Sequence, residues 1–268
     1  MDLYTLLMAV VLGVVEGITE FLPISSTGHL ILVEDLLGFE GPAGNVFEII
    51  IQLGAILSVV WIYRVNLCTT ALGLFSSGPA QRLTLNVLIA FLPAAVVGVL
   101  AHDFIKSVLF SPWVVSGALI AGGIAILVIE RIQKHHTIAT VEDISPGRAF
   151  AVGLFQCIAM IPGVSRSAAT IMGALLVGVN RPAAAEFSFL LAIPTMFGAT
   201  LFDLYKNRDA LTTDGIAVIA VGVVVSFVVA LVVVKWMLRY ISAHSFGAFA
   251  VYRIILGIVM FGILFARS

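Results

Sequence analysis

The chain has 268 residues, 61% of them hydrophobic and only 11% charged, with a formal net charge of −1. A soluble domain is about 45–50% apolar and about 25% charged, so this composition excludes an ordinary soluble fold and predicts a polytopic membrane protein. The near-neutral balance, without any basic run, excludes nucleic acid as a partner.

Residues 3–15 begin as an apolar helix. They run into Glu16-Gly-Ile-Thr-Glu20-Phe-Leu-Pro23-Ile-Ser25-Ser26-Thr27-Gly28-His29, and residues 30–37 are apolar again. Asp2 is the first charge and Glu16 ends the first apolar run, so no cleaved signal peptide is expected. A bilayer core of about 30 Å takes about 20 residues of helix; residues 46–63, 83–101 and 113–129 meet that length. The loop 130–148, with Lys134-His135-His136, reads as a solvated connection. Residues 149–155 then open a helix that meets Gln156-Cys-Ile-Ala-Met-Ile-Pro162-Gly163-Val-Ser165-Arg166-Ser167, and apolar character resumes over 168–177. Three further spans follow at 186–202, 216–234 and 248–266. Cys68 and Cys157 lack metal-ligand spacing and read as buried apolar thiols. Glu48, Gln52, Glu186 and Arg253 lie in or beside spans and read as interhelical hydrogen-bonding residues, with Arg253 expected to pair with a carboxylate.

Half-helices around a polar, proline-containing break are the pattern of re-entrant hairpins, which are tolerated where the broken backbone lines a cavity or is buried in protein. The expected fold is all-α: six transmembrane helices plus two re-entrant helical hairpins. Under that topology one side collects Arg64, Arg82, Arg131, Lys134, Arg148, Arg181, Lys235 and Arg239, and the other Lys106, Lys206, Arg208 and Arg267. The richer side is cytoplasmic by the positive-inside rule, which turns the first hairpin's mouth outward.

A shift of 140 residues superimposes the two polar segments without a gap. Ala9 meets Ala149, Gly13 meets Gly153, Ser25 meets Ser165, Gly38 meets Gly178, Pro42-Ala43 meets Pro182-Ala183 and Phe47 meets Phe187. Each unit contains one hairpin and three spans, an odd number of crossings, so the second unit must be inverted. The chain is thus read as a single membrane domain, 1–268, built of two inverted repeats (1–130 and 141–268) joined by a cytoplasmic loop. Inverted repeats with broken helices are also the architecture of many secondary transporters, so a transporter or flippase for a lipid phosphate is the alternative function. The repeats differ where chemistry would demand it: Glu16 faces Gln156, Glu20 faces Met160, Ser26 faces Arg166 and His29 faces Ala169.

Each charge at bilayer depth costs roughly 2.5–3.5 kcal/mol on insertion scales, which makes these residues functional candidates. Glu16 and Glu20 lie one helical turn apart, and two such carboxylates in low dielectric call for a proton, a guanidinium or a divalent metal between them. Ser25, Ser26 and Thr27 open the next half-helix, where free amides make an anion site. His29 lies one turn from Ser26, placing it to take that serine's proton. Ser165, Arg166 and Ser167 at the second helix start form a phosphate receptor.

These two segments, in this order, resemble the signature motifs of the undecaprenyl-diphosphate phosphatases, bacterial membrane proteins linked to bacitracin resistance. The likeness extends over essentially the whole chain and includes Glu186-Phe-Ser-Phe-Leu-Leu-Ala. It implies hydrolysis of undecaprenyl diphosphate to the monophosphate and phosphate, an inverted-repeat fold in the bacterial plasma membrane, and a site open to the outer, periplasmic face. It implies Ser26 as nucleophile, His29 as its base, Glu16 and Glu20 as the acidic motif and Arg166 as the phosphate-binding cation. Ser25, Thr27, Ser165 and Ser167 would assist in binding. A divalent cation (magnesium or calcium) on Glu16 and Glu20 is also implied, and a homodimer is a candidate assembly alongside the polyprenyl diphosphate and surrounding membrane lipids. The phosphatidic-acid type of membrane phosphatase does not match, because its second histidine is replaced by Met172.

Overall fold

A computed structural model describes residues 3–38, 46–105, 109–132, 137–206 and 213–267. Pro42-Ala43 of the repeat, Lys106, the Lys134-His135-His136 run and Arg208 lie outside the described residues. The described residues form eleven α-helices: α1 (Leu3–Thr19), α2 (Ser26–Leu37), α3 (Val46–Ile62), α4 (Arg64–Gly73), α5 (Gly78–Phe104), α6 (Pro112–Ile132), α7 (Pro146–Ile158), α8 (Arg166–Leu176), α9 (Arg181–Lys206), α10 (Thr213–Ala243) and α11 (Gly247–Arg267).

Five of these, α5, α6, α9, α10 and α11, are long and apolar enough to cross a membrane. A sixth exists if α3 and α4, bent by 70° at Tyr63, count as one span. The sequence places a full span at 46–63, but α3 alone has 17 residues, the lower end of the range that crosses a bilayer. Cys68, expected to be buried, is exposed on α4, a helix that buries none of its residues. On α10, Val224, Val228 and Val232 recur every fourth position and are all more than half exposed. Such an outward apolar stripe is what a lipid-facing helix presents.

Proline decides where α1 and α7 stop. Its ring clashes with the carbonyl four residues earlier and removes one donor. Pro23 and Pro162 stand four residues after Thr19 and Ile158, the last residues of α1 and α7. Each chain then reverses and restarts at a serine cap. Ser25 (φ 72°) and Ser165 (φ 76°) are the only non-glycine residues with positive φ among the described residues. Their hydroxyls accept the amides of Gly28 and Ala168 at 3.4 and 3.2 Å, satisfying one free N–H of each new helix. The two helix halves at each break pack on one another, α1 with α2 and α7 with α8.

Long-range packing comes in matched pairs. Helix α1 packs on α10 as α7 packs on α5, α3 packs on α10 as α9 packs on α5, and α3–α9 and α6–α11 join counterparts directly. The glycines at the seams match as well. A Cβ on Gly13 would stand 2.8 Å from the Gly222 carbonyl of α10, and one on Gly153 would stand 2.5 Å from the Ala90 carbonyl of α5. No side chain fits at either position without separating the helices. Gly153→Val is expected to cost about 1–3 kcal/mol through overpacking, read as a lower unfolding midpoint in detergent. An unchanged midpoint would show that the α5–α7 seam yields freely.

Candidate active site

The two breaks, residues 20–25 and 159–165, meet. Arg166 begins α8 and donates from Nη2 to Glu20 Oε1 at 2.9 Å, an ion pair 146 residues apart in sequence whose side chains are 12% and 8% exposed. Glu20 Oε2 accepts the Ser26 hydroxyl at 2.5 Å. One carboxylate therefore links hydroxyl and guanidinium across the two segments. Ser167 adds a second tie, donating its hydroxyl to the Leu22 carbonyl at 2.9 Å. With that proton committed, Ser165 donates to Ser167 Oγ across 3.0 Å.

Arg166 is only partly occupied by the protein. Nη1 reaches the Ser188 carbonyl at 3.3 Å, Nη2 also reaches Met196 Sδ, and the Phe21 ring lies 5.5 Å beneath the guanidinium carbon. Nε has no partner among the described residues. Phe21 is itself fixed edge-on to Phe189 of α9, with ring centroids 5.4 Å apart. Thr170 and Ser188 exchange a 2.6 Å hydrogen bond behind the arginine. The guanidinium is thus held flat and in place, with donor capacity to spare for an anion.

A cavity of about 190 Å³ lies over this chain of contacts, bounded by Glu20, Ser25, Ser26, Thr27, Ser165 and Arg166. That is several times the ~30 Å³ share of one water in the liquid, enough for a phosphate group. Gln52, Thr195 and Met196 complete its wall. Thr195 and Met196 belong to neither polar segment of the sequence; the available signal was Pro194, a proline inside the long helix α9.

Three expected site residues are placed differently. His29 does not reach Ser26: its Nδ1 donates to the Ser25 carbonyl at 2.7 Å, and its Nε2 meets the Tyr252 hydroxyl at 2.7 Å. The two rings are stacked, 7° from parallel. A carbonyl can only accept, so Nδ1 carries the proton and Nε2 is left to accept from Tyr252. The cause is helical geometry, since Ser25 is four residues before His29 and its carbonyl points along the axis toward the ring. Ser167 is fully buried and ties the breaks together instead of facing the cavity. Glu16 is fully buried behind the cavity, its carbonyl accepting the Glu20 amide at 3.0 Å.

Neither Glu16 carboxyl oxygen has a partner among the described residues, and no group of three His, Cys, Asp or Glu converges there. A buried orphaned carboxyl one turn from a second carboxylate needs a proton or a cation. Magnesium is commonly held by one or two carboxylates plus substrate phosphates and water. The Glu16–Glu20 pair fits that ligand set.

Residues 9–259 match the family model described as bacitracin resistance protein BacA. This chain belongs to that family. It is 54% identical over 260 residues to the undecaprenyl-diphosphatase of Nitrosospira multiformis, covering 97% of this chain and 95% of the relative. It is also 52% identical over 260 residues to the undecaprenyl-diphosphatase of Aromatoleum aromaticum, with the same coverage. The undecaprenyl-diphosphatase of Acinetobacter baumannii is 51% identical over 261 residues, covering 97% and 96%. Family membership and the apolar helices together make the chain a multi-pass membrane protein.

Removing one partner of a buried ion pair strands the other charge at about 3–5 kcal/mol. Glu20→Ala should therefore lower the unfolding midpoint in detergent, and Glu20→Ala/Arg166→Met should recover part of the loss. Additive losses in the double variant would show that the pair is not coupled.

Proposed function

We propose that the chain is an undecaprenyl-diphosphate phosphatase, hydrolysing the polyprenyl diphosphate to the monophosphate carrier lipid and inorganic phosphate. The Ser26–Glu20–Arg166 chain is the observation that carries this reading, because it puts a hydroxyl, its acceptor and a phosphate-sized donor fork around one cavity. Family membership and full-length relatives bearing that activity support it, and they do not favour the transporter alternative.

In this reading the diphosphate enters the cavity with its tail in the lipid. Arg166 holds the terminal phosphoryl oxygens through the donor capacity its protein contacts leave over, helped by Thr27 and the amides at the two helix starts. Ser26 Oγ attacks the terminal phosphorus, and its proton passes to Glu20, which already accepts that hydroxyl. The bridging P–O bond breaks, the monophosphate lipid leaves, and water then hydrolyses the phosphoserine to release phosphate. His29, with both nitrogens engaged, buttresses the cap of α2 instead of taking the proton. A divalent cation on Glu16 and Glu20 would neutralise charge on the phosphates when bound.

The same reading takes α1–α2 and α7–α8 as re-entrant hairpins, since α2, α7 and α8 have 12, 13 and 11 residues, short of the ~20 a span needs. With α3, α5, α6 and α9, α10, α11 as crossings, the matched packing described above fits two inverted repeats in one domain. The positive-inside rule turns the cavity toward the periplasmic face. The partner is the lipid substrate, and a homodimer is the assembly to weigh by mass measurement in detergent.

Purified protein should release phosphate from a polyprenyl diphosphate in detergent, where no second compartment exists; vesicle uptake without release would overturn the enzyme reading. Ser26→Ala, Glu20→Gln and Arg166→Ala should each slow release by about 10²–10⁴-fold. His29→Ala should stay within about tenfold, because both ring nitrogens are engaged by Ser25 and Tyr252 and neither bonds Ser26. Labelled substrate should leave phosphate on Ser26 in the wild type; label found only in free phosphate would assign direct attack by water. Chelation should abolish release, with magnesium or calcium restoring it, and Glu16→Gln should raise the cation concentration required.

A further inference from the structure

Arg253 sits in mid-α11, is fully buried, and forms no ion pair with a carboxylate among the described residues. The carboxylate partner expected from the sequence is replaced by main chain. Nη1 donates to the Pro23 carbonyl at 3.1 Å. Nη2 shares its two N–H groups among the carbonyls of Gly163 at 2.9 Å, Val164 at 2.9 Å and Ala118 at 3.3 Å. Pro23 belongs to the first break, Gly163 and Val164 to the second, and Ala118 to α6. Carbonyls at broken helices have no intrahelical donor, and in a bilayer no water replaces it. A planar, permanently charged fork can answer carbonyls on two separate strands of chain at once; a lysine ammonium presents one point.

The segments it joins carry the two halves of the site. Pro23 stands three residues before Ser26, and Val164 stands two residues before Arg166. Gly122 of α6 makes the room: a Cβ there would lie 2.1 Å from Arg253 Nη2.

We infer that Arg253 is a positioning residue for the reaction, clasping the two breaks so that the Ser26 hydroxyl and the Arg166 guanidinium stay at the separation one terminal phosphate requires. The inference rests on the phosphatase reading for its kinetic consequence, but not for the geometry it asserts.

The experiment compares Arg253→Met, Arg253→Lys and Gly122→Ala with Gly257→Ala, all full-length in detergent. The last is a packing control: a Cβ on Gly257 would stand 2.7 Å from Ile120 and 2.8 Å from the Ser116 carbonyl, so it strains the same α6–α11 seam with neither Arg253 nor a break residue among its nearest contacts. Arg253→Met should lower kcat per folded molecule at least thirtyfold with KM within threefold, and Gly122→Ala should follow it in direction. Arg253→Lys should fall between Met and wild type. Gly257→Ala, read at a temperature giving a matched folded fraction, should keep kcat within threefold. Deuterium uptake of peptides covering 20–26 and 159–165 should rise in Arg253→Met and Gly122→Ala, but not in Gly257→Ala. If Arg253→Met does not fold, Gly122→Ala carries both readouts. Turnover within threefold of wild type in the folded clasp variants, or losses no larger than the packing control's, would overturn the inference. If wild-type protein releases no phosphate, the phosphatase reading falls. Uptake confined to the clasp variants would then still support the clasp, and unchanged uptake would sink it.

Discussion

Two helices broken among apolar helices must find their missing hydrogen bonds within the protein. Much at the centre of this molecule follows from how they find them, partly in each other and partly in Arg253 of α11. Glu20 from one break and Arg166 from the other neutralise one another at 2.9 Å, and Ser167 reaches across to a carbonyl of the first break. Neither break is complete alone. Charges that would each be costly at that depth become tolerable as a pair, and the pair lies beneath a small polar cavity.

The inequality of the two halves gives the cavity its chemistry. Position for position, one half offers a hydroxyl where the other offers a guanidinium, since Ser26 and Arg166 occupy equivalent places just after the serine caps. Symmetric packing brings these unlike groups together on either side of the same acceptor. Helices packed in matched pairs thus produce an uneven site, with hydroxyl and carboxylate on one side and guanidinium on the other. The Glu20 carboxylate touches both, one oxygen to each.

Much of this was legible in the residues. Proline four positions beyond the last helical residue marks both breaks, because the steric rule behind it is local. The 140-residue register and the contrast of Glu20 with Arg166 sufficed to bring the two segments together. What local reasoning missed depends on direction. Helical spacing places His29 one turn from Ser26, but the same spacing brings the Ser25 carbonyl and, from α11, Tyr252 to the ring, and these win both nitrogens. Arg253 was expected to seek an acid. Buried among broken main chain, it found carbonyls, and no residue pattern announces that a backbone elsewhere in the chain has unpaired acceptors. Thr195 and Met196 reach the cavity through the packing of α9, which spacing alone cannot supply.

The left-handed serines have a consequence for what this molecule can become. A side chain at positive φ costs on the order of 1–3 kcal/mol where glycine would sit at ease, and the cost appears twice, at Ser25 and Ser165. A glycine at either place would relax the turn but remove the hydroxyl that caps the restarted helix and lines the cavity. Robustness and catalytic competence therefore pull these two positions in opposite directions. Variants selected purely for endurance to heat should drift toward the sturdier turn and away from the working one.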